Sequence, residues 1–423
     1  MTRVLLFVVS VLMGAGPYHA LPVNASSSVA KGSSSMGLVD SCSDKQGPAK
    51  YACYETALLS IVNTAGVATA MDVLSVVGVL DEDVQRDGHV YAHAIGITGF
   101  QSAPDMATTF SRCSELYQSG CYHGVIQAYL DQVLDHDVVH DSGRINAVCQ
   151  PYRKETGSRW LLFQCVHAVG HGLTSFYAHD LPRALQGCDR LEDDWDRHSC
   201  YGGAFMENVV HAIHPHHPSP HAKHDAPREG DRHASQSDFV PIKAADPLHP
   251  CSMLEERYLT DCYLMQTSII LYLNQGDMAA AARTCDGAPP AMRVSCYQSL
   301  GRDISSYTLQ RSDDAIRMCS LGSADYQPWC FVGLVKNFID ITSKPESGLN
   351  FCTRVTGRAN RMKCYEAVGE EIWALTADDS QRAKLCGQAE GELFEACRYG
   401  ARLTPEAPSG VPIAQTTIDS IQR

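Results

Sequence analysis

The chain has 423 residues, 44% of them hydrophobic, and a formal net charge of -14. That composition supports a packed core and excludes wholesale disorder. The acidic balance, with no basic stripe anywhere, argues against nucleic acid or an anionic membrane surface as the main partner.

Residues 1–20 open with a short charged head, continue through an apolar stretch over 4–13 and end on small residues around Gly14, Gly16 and Ala20. This is the pattern of a secretory signal peptide, and the apolar run is too short to span a bilayer. Residues 21–41 are Ser-rich, read as a flexible segment, and carry the sequon Asn24-Ala25-Ser26. Eighteen cysteines behind such a leader point to a secreted protein, extracellular or periplasmic, in an oxidising compartment.

From residue 42 to 403 the cysteines recur with a period. Cys262, Cys296, Cys330, Cys364 and Cys397 are spaced 34, 34, 34 and 33 residues, and Cys165 to Cys200 is 35. Cys53 and Cys121 lie 68 apart, two periods, which predicts a hidden repeat start at Asp87. Longer gaps after Cys121 and Cys200 equal one period plus insertions of 10 and 28 residues, placed near 136–157 and in the His/Pro-rich stretch 211–250. Each of these cysteines has an upstream partner, giving the pairs Cys42/Cys53, Cys113/Cys121, Cys149/Cys165, Cys188/Cys200, Cys251/Cys262, Cys285/Cys296, Cys319/Cys330, Cys352/Cys364 and Cys386/Cys397. All eighteen are consumed, no C-x-x-C motif is present, and a cysteine nucleophile is therefore not expected.

Around each pair the sequence reads as a helical hairpin. A short helix runs up to the first cysteine, often from an Asp eight residues earlier that suits an N-cap (Asp105, Asp180, Asp277, Asp378). A loop follows, and the second cysteine opens a second helix. Counting from that cysteine, position +1 is aromatic in seven repeats (Tyr54, Tyr122, Tyr201, Tyr263, Tyr297, Phe331, Tyr365) and position +8 is mostly apolar. Position +3 is mostly small, as at Gly124, Ala168, Gly203, Gly333, Ala367 and Gly400, which lets a neighbouring helix approach closely. The expected fold is all-α: an α-solenoid of about nine to ten 34-residue hairpins, each stapled by a local disulfide. In period, pairing and hairpin pattern the region resembles the tetratricopeptide and Sel1-like class of helical repeats, in a disulfide-stapled secreted form. That resemblance implies a fold and no function.

Positions +2 and +6 are variable and often polar, the behaviour of an exposed or groove-lining stripe. In three successive repeats the stripe holds His89, His93, His123, His167 and His171, including two His-x-x-x-His spacings. A spacing of four sets two imidazoles on one helix face, able to chelate one ion. Structural hydrogen bonding is the alternative role. The donor set favours copper, with zinc or iron as alternatives, and Glu207 at +7 of the next repeat is the nearest acid that could serve as ligand or acid/base. Tyr91 and Tyr122 lie nearby in sequence phase but read as core. The stretch 211–250 adds eight further histidines without helical period and reads as a mobile loop, either a loose metal collector, a lid or solvated low-complexity chain. Residues 404–423, rich in Pro, Ser and Thr, read as a disordered tail.

Two function classes fit this sequence. One is a secreted metalloenzyme, foremost a copper- or iron-dependent oxidoreductase acting on an extracellular small molecule, peptide or protein, with zinc-assisted hydrolysis as the lesser version. The other is a non-catalytic scaffold using the whole stripe, Gln298, Arg302, Lys336, Glu366 and Glu370 included, to bind a peptide or protein, or a metal-sequestering protein.

Overall fold

The computed structural model describes residues 35–133, 142–154, 159–213 and 239–412. The signal peptide, the Asn24 sequon, most of the Ser-rich segment, the histidines at 214–233 and the last eleven residues lie outside them. The described residues are helical, with no strand beyond one isolated bridge between Lys243 and Asp246. No described helix is long and apolar enough to cross a membrane.

All nine expected disulfides are present and no cysteine is free, as suits an extracellular protein. In most pairs a short helix ends on or next to the first cysteine, as at Leu181–Cys188, Ser312–Cys319 and Asp379–Cys386. The four Asp residues do cap them: Asp105, Asp180, Asp277 and Asp378 each accept a backbone N–H of the first turn.

The long helices, in chain order, are α1 (Gly47–Ala65), α2 (Val67–Leu80), α3 (Gly88–Ser102), α4 (Gly120–Val133), α5 (Arg159–Phe176), α6 (Asp194–Ile213), α7 (Glu256–Tyr263), α8 (Gln266–Leu273), α9 (Arg293–Tyr307), α10 (Gln327–Thr342), α11 (Arg358–Leu375) and α12 (Gly391–Gly400). Helix α3 starts at the predicted hidden repeat, with Asp87 as its N-cap residue. The second cysteine does not open these helices, as the sequence suggested. It sits up to two turns inside them, seventh in α5, α6, α11 and α12, because the residues before it already have helical geometry. The repeat at Cys262 is broken into α7 and α8 at Leu264 and Met265, where the Arg302 guanidinium takes the Leu264 carbonyl at 3.0 Å and so removes it from the helical ladder.

The +1 aromatics are all buried, Tyr54 and Tyr297 completely. Tyr91 and Tyr122 are core residues, as expected. Three sequence expectations about disorder fail at their edges. Residues 35–41 are helical and lead to a fully buried Cys42. Residues 211–213 finish α6, and His249 is buried with Nε2 donating to the Val240 carbonyl at 2.6 Å, so neither end of the 211–250 stretch is a loose loop. The start of the tail also packs, with Val411 buried and Arg358 donating to the Ser409 carbonyl.

The small residues at +3 have the predicted use, and they act in reciprocal pairs that the period alone did not reveal. A Cβ on Gly203 of α6 would lie 1.8 Å from the His167 carbonyl oxygen of α5, and a Cβ on Gly170 of α5 would lie 2.0 Å from the Cys200 carbonyl of α6. The same exchange joins α9 to α10 (Gly301 with Cys330, Gly333 with Gln298) and α11 to α12 (Gly369 with Cys397, Gly400 with Glu366). Helices α3 and α4 do it through Gly96 and Gly124. The interfaces α4/α5 and α10/α11 lack such a pair, so the helices associate two by two, a period of two repeats. Distant parts of the array also meet. Gln85 donates to Gln310 at 3.1 Å, and the Arg159 guanidinium lies 4.9 Å from the Trp195 ring and 4.7 Å from Trp373.

Substituting Gly333→Ala inserts a methyl 1.7 Å from the Gln298 carbonyl and forces two backbones apart. We expect it to destabilise the protein by about 1–3 kcal/mol. Gly37→Ala, where a Cβ meets nothing within 4 Å, should be neutral or slightly stabilising. Urea midpoints of the two variants against the parent test this, and equal midpoints for both would remove the close-packing account.

Candidate metal centre

Helices α3, α4 and α5 lie side by side, and each turns its +2/+6 face inward. The tight α3/α4 and α5/α6 pairs shorten the distances further: the carbonyls accepting the glycine approach belong to His93 and His167 themselves. The five predicted imidazoles therefore form one contiguous cluster. Ring centroids are 5.4 Å apart for His89–His123, 4.9 Å for His123–His167, 5.0 Å for His123–His171, 5.2 Å for His167–His171 and 5.4 Å for His93–His171.

The stripe is not exposed, as its polarity suggested. His93, His123, His167 and His171 are each under 5% exposed, and only His89 is half-buried. The reason is that the array places these helices against one another on that face, which a repeat-by-repeat reading treats as groove.

Each of three rings is oriented by an oxygen at one nitrogen. His171 Nδ1 donates to the Glu207 carboxylate at 2.9 Å, His123 Nε2 donates to Gln164 Oε1 at 2.8 Å, and His89 Nδ1 donates to the Tyr117 carbonyl at 3.0 Å. Such partners fix the tautomer and leave the other nitrogen with its lone pair, the arrangement found behind metal-binding imidazoles. Two of those other nitrogens, His171 Nε2 and His123 Nδ1, have no hydrogen-bond partner among the described residues. A buried polar atom left so costs about 1–3 kcal/mol.

Burial pushes the histidines down. His89 falls to about 4, helped by His171, and His171 to about 3. His123 and His167 are held well below the usual range by burial and then by their neighbouring imidazoles. All four are neutral at pH 7, as metal ligation requires. Donor atoms converge in two buried groups, His123/His167/His171 and His93/His171/Glu207, each with its atoms within 4.8 Å of one another. These groups could bind a metal ion. Their nitrogen-rich character does not choose among copper, zinc and iron.

Glu207 is thus beside the cluster, as the sequence indicated, on α6 and buried. Two residues were missed. Gln164 precedes His167 by three and His171 by seven, so one helix face carries all three, a spacing that could have flagged it. Asp131 lies eight after His123, again in phase. Burial and then Glu207 raise its carboxyl to about 7. Charged residues at other stripe positions hold ion pairs instead. Arg302 meets Asp303 at 2.7 Å, Lys336 meets Glu370 at 2.6 Å and Lys363 meets Glu366 at 2.7 Å.

The lowered histidine pKa values set a sign for acid stability. The unfolded chain takes up protons near pH 6.5, whereas the folded cluster resists them until far lower pH. Between those limits the unfolded state binds more protons, so stability of the metal-free protein falls as pH falls. We expect the urea midpoint to drop from about pH 7.5 to about pH 5, and to drop less in His123→Gln/His171→Gln, whose amides do not titrate. Equal pH slopes for parent and variant would contradict this.

No protein-family model, no curated protein and no solved structure matches this chain, so the reading of the centre rests on its own donor atoms and their surroundings.

Proposed function

We propose that this chain is a secreted metalloprotein that holds a late first-row transition ion, copper first, on His123, His167 and His171. The observation that carries it is the convergence of three buried neutral imidazoles, each with a nitrogen that has no hydrogen-bond partner among the described residues. Burial removes the competing protons, while Glu207 and Gln164 aim the rings. Zinc and iron are the alternative ions. The sequential packing of long helices supports an α-solenoid frame, and the resemblance to tetratricopeptide and Sel1-like repeats is a proposal about that frame alone.

The chemistry we assign is copper-dependent oxidoreduction of a small molecule. A centre under four nearly inaccessible imidazoles has no room to receive a folded protein or an extended peptide. A specific observation favours a second reading, metal sequestration: that same burial holds an ion more than it offers it. A scaffold role would use a different place. A cavity of about 710 Å³ lies between Phe110, Tyr122, Tyr152 and Trp160 on one side and Ser343, Leu375 and Leu385 on the other, and none of the five histidines lines it.

Elemental analysis after dialysis against a mild chelator tests the proposal. The parent and a variant with residues 214–238 replaced by a short linker should both retain stoichiometric metal. His167→Ala/His171→Ala should lose it. A metal-free parent, or loss only on replacing 214–238, would show that the helical cluster is not the site. Isotope exchange of the bound ion separates the two metal readings: slow exchange without turnover of small oxidants or reductants favours sequestration.

A further inference from the structure

The two buried donor groups overlap at a single residue. His123, His167 and His171 form one, and His93, His171 and Glu207 form the other. An imidazole carries its nitrogens on different edges, and those of His171 face different surroundings. Nδ1 lies 2.9 Å from Glu207 Oε2, whereas Nε2 has no hydrogen-bond partner among the described residues. The rings of His123 and His167 sit 5.0 and 5.2 Å from His171, and that of His93 5.4 Å away. His93 comes from α3 and Glu207 from α6, the helices outside α4 and α5 in the row.

We propose that His171 is a shared ligand of two adjacent transition ions, the first on His123, His167 and His171 Nε2, the second on His93, Glu207 and His171 Nδ1. This rests on the metal reading above and adds a second site to it.

The surroundings of Glu207 support a cation there. Asp131 interacts electrostatically with Glu207, and His211 follows Glu207 by one helical turn and feels the same charge. Two carboxylates near one another in a buried place coexist comfortably only with a proton or a cation between them.

The binding step balances simply. The second ion replaces the Nδ1 proton: the N–H bond breaks, an Nδ1–metal bond forms, and the proton leaves to the buffer. Glu207 changes from hydrogen-bond acceptor to ligand, His171 becomes a bridging imidazolate, and no oxidation state changes.

Copper(II) is the probe. An imidazolate bridge couples two copper(II) spins antiferromagnetically, so the full chain loaded with excess copper(II) and desalted should hold two ions and show an electron paramagnetic resonance signal well below that expected for its copper content. Glu207→Gln keeps an oxygen for Nδ1–H but loses the anionic ligand; it should hold one ion with a signal of full intensity. His93→Ala should behave likewise. A parent that holds one ion, or two with full uncoupled intensity, overturns the shared ligand while leaving the metal reading intact. So does a Glu207→Gln protein that still shows the coupled pair. A parent that holds no copper, zinc or iron overturns both. The spin count on the parent needs no variant, so a misfolded substitution does not blunt the test.

Discussion

Backbone pressed against backbone is the contact on which this molecule depends. Where Gly170 faces the Cys200 carbonyl and Gly203 the His167 carbonyl, a side chain of any size would hold the helices apart. Helices that meet through ordinary side chains sit about 8–10 Å apart. The glycine pairs draw α3 to α4 and α5 to α6, whereas His123 meets His167 and His171 across α4/α5, which has no such pair and still brings the ring centroids to 4.9 and 5.0 Å. His93 and His167 supply both a ring to the cluster and a carbonyl to a glycine contact. Packing and site are therefore the same residues seen from two sides.

The disulfides complete this arrangement at the rim. Most clip the end of a short helix to an early turn of a long one, which fixes the hairpin within each unit. That matters because the centre of the array is costly. Neutral imidazoles with unused nitrogens contribute little to folding, and local cross-links that restrict the unfolded chain offset the deficit. The aromatic +1 residues do the remaining work by filling the space between hairpins: Tyr297 is fully buried and still donates its hydroxyl to Asp286 at 2.8 Å.

One register carries two chemistries. In the first half of the array, five +2 and +6 positions are imidazoles. In the second half, four of them are Arg302, Lys336, Glu366 and Glu370, bound to Asp303, Glu370 or Glu371, and Lys363. A charge-paired stripe satisfies itself, whereas a stripe of neutral imidazoles is left with lone pairs. This contrast is why the metal reading belongs to α3–α6 and not to the array as a whole.

Read alone, the chain determined its all-helical class, the nine cystine pairs, the hidden repeat at Asp87, the Asp caps and the five histidines with Glu207 beside them. Those features are local: a cap, a clip or a helix face is set by residues within a turn or a hairpin, and periodicity records them directly. What the tertiary structure decided is everything that depends on two repeats meeting. The pairing of helices two by two, the burial of a stripe whose polarity looked like surface, and the roles of Gln164 and Asp131 all arise from contacts between α3, α4, α5 and α6. The order at 35–41 and around His249 and Val411 is likewise tertiary, because compositionally polar segments there find a neighbour to pack on. A 34-residue period states that each helix has a neighbour; it does not state how closely they approach, and that approach decides which nitrogens converge.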